Sequence, residues 1–265
     1  MQGRTEVAAE VARFLRQRLE MGGPLPVVLG GLGRDEALSL ARRGRQAGAA
    51  SAPPSAAPGA TGAASASTAP SAPGRASSPG ALDDYEVFRA QVLQCRRCRL
   101  AETRTQVVFA DGSPDARVMV VGEAPGANED ATGLPFVGAA GKLLDLLLAT
   151  VDLSRKESVY IANVLKCRPP GNRNPLPDEI EACAPYLRRQ IEFVAPEAIL
   201  AVGTFAAQLL TGLQKPLGKL RGTVHAYEGV PLVVTYHPAA LLRNPRWTRA
   251  FWSDLQLLRE ILDGE

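Results

Sequence analysis

Four short runs rich in β-branched residues recur along the later part of the chain: Arg117 to Val121, Val159 to Val164, Ala198 to Val202 and Leu232 to Thr235. Each is too short and too evenly apolar for an amphipathic helix and reads as a buried strand. Helical spacing fills the intervals, at Gly141 to Thr150, Asp178 to Val194 and Thr204 to Thr211, and continues after the last strand from Trp247 to Leu262. Strands that alternate with helices in this way build a parallel sheet covered on both faces, an α/β fold. Ligands of such sheets bind beyond the carboxyl ends of the strands. Three of the four runs lead at that end into polar or Pro-Gly motifs: Gly122-Glu123-Ala124-Pro125-Gly126, Asn163-Val164-Leu165-Lys166-Cys167 and His237-Pro238. A site is therefore expected where these three motifs meet.

Composition separates the rest. From Ala47 to Ala81 the chain is almost wholly Ala, Ser, Pro, Gly and Thr, with too little large apolar surface to offset the entropy of ordering, so 47–81 reads as a linker. Upstream, Val7, Val11, Phe14, Leu15 and Leu19 keep helical spacing, but 1–46 is too short for a core of its own. It reads as a helical extension that docks a partner or touches DNA, or else as a poorly ordered extension or an oligomerisation helix, which leaves 82–265 as the globular domain. No run of eighteen apolar residues and no secretory signal is visible, so a cytoplasmic protein is expected, with no membrane contact. The formal net charge of +3 is too small to argue for nucleic acid, which needs only a local stripe of Lys and Arg.

All four cysteines lie in the globular part, as Cys95-x2-Cys98 and then Cys167 and Cys183. Without an export signal, metal ligation fits them better than disulfides. Thiolates two residues apart can meet one centre, and four complete a zinc site or an iron-sulfur cluster. A zinc ribbon repeats its short pair, whereas here the second pair is split, which favours a cluster. Arg96, Arg97, Arg99, Lys166 and Arg168 beside the ligands suit an anionic cluster or DNA phosphates. Neither a G-x-G-x-x-G loop nor a P-loop is present, so phosphate cradling of those two kinds is not expected.

Taken together, Gly122-Glu-Ala-Pro-Gly-Ala-Asn-Glu-Asp130, Thr132-Gly-Leu-Pro-Phe-Val-Gly138, Asn163-Val-Leu-Lys-Cys-Arg-Pro-Pro-Gly-Asn-Arg173 and His237-Pro-Ala-Ala-Leu-Leu242 resemble the family 4 uracil-DNA glycosylases. With the cysteines, the resemblance covers about Leu82 to Leu262. It implies a three-layer α/β/α sandwich around a central four-stranded parallel sheet, and a 4Fe-4S cluster held by Cys95, Cys98, Cys167 and Cys183. The implied reaction is hydrolysis of the N-glycosidic bond of uracil in single- or double-stranded DNA by a monomer, with any repair or replication partner met through the N-terminal arm and the enzyme working at the nucleoid.

The residues give that chemistry a physical form. Uracil must leave the stack before a pocket can enclose it. Phe136, between Gly133, Pro135 and Gly138, is the candidate to stack on the extruded base. Asn163 is the candidate to accept from uracil N3-H and donate to O4, which cytosine cannot match. His237 is placed to hydrogen-bond O2 as negative charge develops on the leaving base, and His225 reads as structural. Glu123, Ala124 and their loop backbone would wall off the 5-methyl of thymine. Glu123 or Glu129 would position water or stabilise the sugar cation. Ala124 stands where some other uracil-DNA glycosylase families carry an Asp, so the rate is expected to come mainly from leaving-group stabilisation. Arg243, Lys215, Lys219, Arg221 and Arg246 are candidates to grip phosphates, and Leu241 or Leu242 to wedge into the vacated stack.

Two competing readings carry their own signatures. Covalent capture of uracil-DNA through a His would need a histidine-bearing basic loop after Val137, and no His precedes His225. A DNA-binding module with a dead pocket would have no reason to keep Phe136, Asn163 and His237 together.

Overall fold

The computed structural model describes residues 79–264. The expectations for 1–46 and for most of the 47–81 linker lie outside these residues. The first helix, α1 (Pro79–Leu93), starts three residues inside the expected linker. It is followed by β1 (Asp111–Gly112), β2 (Val118–Gly122), α2 (Ala127–Thr132), α3 (Ala139–Ala149) and β3 (Val159–Asn163). Then come α4 (Pro177–Val194), β4 (Ala198–Val202), α5 (Thr204–Thr211), α6 (Leu217–Leu220), β5 (Val224–Tyr227) and β6 (Val230–Thr235). The described chain closes with α7 (Pro238–Arg243) and α8 (Thr248–Asp263).

The strands form one sheet in the order β1-β3-β2-β4-β6-β5. Its middle four, β3, β2, β4 and β6, are mutually parallel, as expected. The expectation of four strands needs correcting to six, because β1 and β5 add antiparallel edges. Both edges escape sequence reading for physical reasons. β1 has only two residues, and β5 alternates exposed with half-buried side chains, so neither shows the apolar run of an inner strand.

Every residue of β2, β3 and β4 is buried. With a side-chain period of two, one strand feeds two cores. Met119 and Val121 join Tyr85 and Val92 of α1, Leu187 and Ile191 of α4, and Ala206 and Leu210 of α5 on one face. On the other, Val118 and Val120 meet Leu144 and Leu148 of α3, Leu241 of α7, and Phe251, Leu255 and Leu258 of α8. These are the three layers of an α/β/α sandwich. After β2 the chain steps to β3 on one side, whereas after β4 it steps to β6 on the other. The carboxyl ends of β2 and β4 therefore flank a topological switch point, where such sheets open a crevice. Among the described residues no helix is long and apolar enough to cross a membrane.

α1 belongs to this core although its sequence shows no marked apolar stripe. Tyr85 is 5% exposed, its hydroxyl lies 3.0 Å from that of Tyr160, and its ring meets Phe109 and Phe193 edge-on at 5.9 and 5.8 Å. Replacing a buried aromatic by alanine typically costs about 3–5 kcal/mol. Tyr85→Ala should therefore lower the urea midpoint by an amount equivalent to that loss, with an unchanged denaturant slope, in equilibrium unfolding followed by circular dichroism.

Candidate active site and cysteine cluster

The three strand-end motifs do meet. Gly122 ends β2, Asn163 ends β3 in register with it, and His237 lies two residues past β6 as the N-cap of α7. A Cβ on Gly122 would collide with Asn163 Oδ1 and would lie 2.6 Å from Phe136 Cζ. One on Gly203, just past β4, would lie 3.3 Å from His237 Cβ. The Phe136 and His237 rings stack with centroids 5.4 Å apart and planes at 26°. Phe136, Asn163 and His237 thus form one cluster at the switch point, packed so tightly that only glycine fits between them.

Asn163 is 2% exposed, and its Oδ1 is fully buried without a hydrogen-bond partner. An unpaired buried carbonyl of this kind costs about 1–3 kcal/mol, so it marks a place where a donor is expected to arrive. His237 accepts a hydrogen bond at Nδ1 from the Ala239 backbone N-H, 3.2 Å away. Nδ1 is therefore the bare nitrogen, and in the neutral ring Nε2 carries the proton. Burial first, then the charge of Arg243, lowers the His237 pKa to about 4, opposed by Glu129. At neutral pH the ring is an uncharged donor aimed by its own helix.

Phe136 holds a left-handed backbone with φ of 54°, unusual for a bulky residue and sustained only by outside contacts. Those contacts come from two side chains. Glu129 Oε1 accepts from the backbone N-H groups of Val137 and Gly138, each at 3.0 Å, while Oε2 accepts from Gly126 at 3.1 Å. Arg155 donates to the carbonyls of Pro135 and Phe136, each at 2.9 Å, and pairs with Asp111 and Asp145 at 2.9 Å. A Cβ on Gly141 would collide with the Phe136 carbonyl, so α3 also presses on this loop. Sequence reasoning gave neither Arg155 nor Gly141 a part in the site, because their partners are scattered along the chain and no local spacing announces them.

These contacts separate the acidic residues of the first loop. Glu129, expected as a water-positioning carboxylate, has both oxygens committed to backbone, and the 4% exposed Asp130 accepts from Thr105 N-H at 2.9 Å. The Glu123 carboxylate alone makes no hydrogen bond or ion pair among the described residues, and burial raises its pKa. Ala124 is half-buried beside it.

The basic candidates separate as well. Lys215, Lys219, Arg243 and Arg246 are exposed. Arg221 is not a phosphate grip: its side chain is 13% exposed, pairs with the buried Asp254 at 2.6 Å and donates to the Ala250 carbonyl. Leu241 is core rather than wedge, at 1% exposure, and Leu242 is half-buried. His225 Nε2 lies 2.7 Å from the Leu220 carbonyl.

The four cysteines come together from three elements. Cys95 and Cys98 follow α1, Cys167 follows β3, and Cys183 sits on α4; all four line one cavity with Arg104, Lys166 and Tyr186. None is in a disulfide. Backbone N-H groups approach sulfur at Cys95 (Arg97, 3.5 Å) and Cys183 (Lys166, 3.3 Å), and Arg104 Nη1 lies 3.2 Å from Cys167 Sγ. Donors aimed at sulfur suit thiolates. Yet burial pushes the Cys183 thiol up to about 11 and raises Cys167, so thiolates at neutral pH require a bound cation, as a coordinating metal provides. The residues present fit a metal-thiolate group. The 2% exposed Lys166 links this cavity to the strand-end cluster, since its Nζ donates to the backbone carbonyl of Asn163 at 2.7 Å.

Fold and site together define a doubly wound α/β protein with an amide, an aromatic ring and a neutral imidazole converging at its switch point. The family model described as the uracil DNA glycosylase superfamily matches residues 109–256. A type-4 uracil-DNA glycosylase of Archaeoglobus fulgidus is 44% identical over 64% of this chain and 89% of its own length. One from Sulfurisphaera tokodaii is 41% identical over 68% and 86%, and a type-5 uracil-DNA glycosylase of Pyrobaculum aerophilum is 33% identical over 60% and 84%. The chain belongs to the uracil-DNA glycosylase superfamily and, within it, to the type-4 enzymes.

The neutral state of His237 has a sign. Between pH 6.5 and about 4 the unfolded chain takes up a proton at this position that the folded chain refuses, so its contribution to stability is present above the unfolded value and is lost on acidification through that window. In ring-proton NMR, His237 should not titrate between pH 8 and 5 and should begin to shift only near pH 4. The urea midpoint should fall between pH 6.5 and about 4.

Proposed function

We propose that this chain excises uracil from DNA by hydrolysing its N-glycosidic bond, leaving an abasic site, with the Phe136, Asn163 and His237 cluster as the active site. The observation that carries this reading is the buried, unpartnered Oδ1 of Asn163 beside an aromatic ring and a neutral imidazole. Uracil offers N3-H to that oxygen and O4 to the amide nitrogen, whereas cytosine presents an acceptor at N3 and a donor at N4. Phe136, fixed by Glu129 and Arg155, supplies the surface on which the extruded base stacks. His237 donates from Nε2 to O2 and gains strength as the base departs with its electrons. A neutral donor does this without surrendering its proton, the role for which a lowered imidazole pKa is suited.

Glu123 is then the carboxylate left to orient the attacking water or to face the sugar cation. Glu129 acts by holding the Phe136 loop. Ala124 and the adjoining backbone form the wall against a 5-methyl group. Exposed Lys215, Lys219 and Arg243 are the phosphate contacts in this reading, with Leu242 as the wedge.

Cys95, Cys98, Cys167 and Cys183 would hold a 4Fe-4S cluster. The wide separation of Cys167 and Cys183 in the sequence supports a polynuclear cluster over a zinc ribbon, which repeats its short pair. When bound, the cluster supplies a cross-link joining the segments after α1 and β3 to α4, and uracil release takes place at residues outside it. Protein purified without oxygen should be brown, show thiolate-to-iron charge transfer and contain about four iron atoms per chain. Colourless, zinc-loaded protein would exclude the cluster.

Release of base from oligonucleotides carrying one unpaired uracil or cytosine tests the pocket. The parent should release uracil alone. His237→Ala should lower kcat by about 10²–10³, the usual loss of a leaving-group donor. Asn163→Asp exchanges a donor for a group that suits cytosine, so its uracil-to-cytosine ratio should collapse. An unchanged ratio would show that Asn163 does not read the base.

A further inference from the structure

Beyond the pocket, one aromatic side chain is exposed where the core offers it a place. Trp247 is 38% exposed although it is stacked on Tyr236 with ring centroids 4.6 Å apart and planes at 8°. The Arg221 guanidinium lies 4.3 Å over the same Tyr236 ring. Two planar groups this close to one centroid take opposite faces, so Arg221, Tyr236 and Trp247 form a three-tiered stack. Its base is locked, because Arg221 pairs with Asp254 at 2.6 Å and donates to the Ala250 carbonyl at 2.6 Å. With one face on Tyr236, the remaining exposure of the indole belongs to the rest of the ring. The stack ends in a partly exposed indole whose orientation is fixed by Tyr236.

We propose that Trp247 is a stacking platform for an unpaired nucleobase flanking the uracil, on the same DNA strand. This rests on the reading of the pocket as a uracil site. Three observations select this occupant. First, exposed Arg243, Arg246 and Arg249 surround Trp247 in sequence, and none forms an ion pair among the described residues. Arginine interleaved with an exposed aromatic matches a single strand, which alternates phosphate with base; stacking tolerates any base because each has a π face. An acyl chain or an apolar peptide face would leave those charges without partners.

Second, the platform is continuous with the pocket. His237 caps α7, Arg243 ends it, and the Pro245–Trp247 turn packs against α7. Arg243 is near enough to His237 to lower its pKa. A helix of six residues spans about 9 Å, and stacked bases rise about 3.4 Å per step. Trp247 thus lies a few nucleotides at most from a base held at His237. Third, a base paired within an intact duplex has both faces covered by its neighbours. A flat indole beyond the pocket can therefore be used only by a base that is unpaired.

The test compares the parent with Trp247→Ala and Trp247→Phe on single-stranded uracil oligonucleotides, on the same strands with abasic spacers in place of the flanking bases, and on duplexes. Affinity is read by fluorescence anisotropy and turnover as separate kcat and KM. Loss of one base-aromatic stack should raise Kd and KM of Trp247→Ala about 10- to 100-fold on the normal single strand. Trp247→Phe should recover most of it. On spacer-flanked strands the parent should bind as weakly as Trp247→Ala, and indole fluorescence should be quenched only when flanking bases are present. Equal weakening by Trp247→Ala on normal and spacer-flanked strands would make the residue merely structural and overturn the proposal. So would equal weakening on intact duplex. If the parent releases no uracil, the pocket reading fails by itself, while the binding and quenching arms still decide whether Trp247 stacks on a base.

Discussion

A strand with parallel neighbours on both sides can send its side chains only into two apolar layers, and β2 imposes that condition on the whole molecule. Val118 to Val121 are fully buried, so helices must cover both faces, and the chain must cross from one to the other between strands. Sending α3 and α8 to one face and α1, α4 and α5 to the other makes consecutive crossovers diverge beside β2. The crevice that follows lies where Gly122, Gly203 and His237 meet. The site is a by-product of solving the burial problem of one short strand.

The fold was legible wherever burial left a uniform apolar run, which is why the four inner strands stood out. It was illegible where structure depends on partners far away in sequence. α1 shows no clear stripe because its anchorage is concentrated in Tyr85 and Val92. The edge strands are too short or too exposed to imprint a period. In the site, residue types foretold which side chains gather at the strand ends, since Phe, Asn and His each sat beside a Pro-Gly motif or a strand terminus. They did not foretell which acids are free. Glu129 and Glu123 look alike in sequence, yet one has three backbone donors and the other none. Arg221 and Arg243 are equally basic, but a buried aspartate claims the first.

The loop bearing Phe136 shows how a strained backbone is kept in place. Its positive φ is opposed from one side by the Glu129 carboxylate, which gathers N-H groups, and from the other by Arg155, which gathers carbonyls. An acid and a base thus divide the orphan polar groups of one turn between them, and Asp111 and Asp145 hold the base in its turn. Three residues past the end of β3, Lys166 plays a comparable part with its ammonium group on the Asn163 backbone carbonyl. The backbones that carry the aromatic and the amide of the site are thus each held by a buried or half-buried charge.

Gly122 sets the limit of this arrangement. A single methyl group there would strike both the Asn163 amide and the Phe136 ring, so the dimensions of the pocket are defined by an atom that is missing. A cavity bounded by large side chains can be enlarged by trimming them. One that rests on bare backbone can only be filled, and every substitution at Gly122 would displace the Asn163 amide and the Phe136 ring from their present positions. If the cluster is the uracil site proposed above, any widening of the range of bases would have to come through the loop that Glu129 and Arg155 hold.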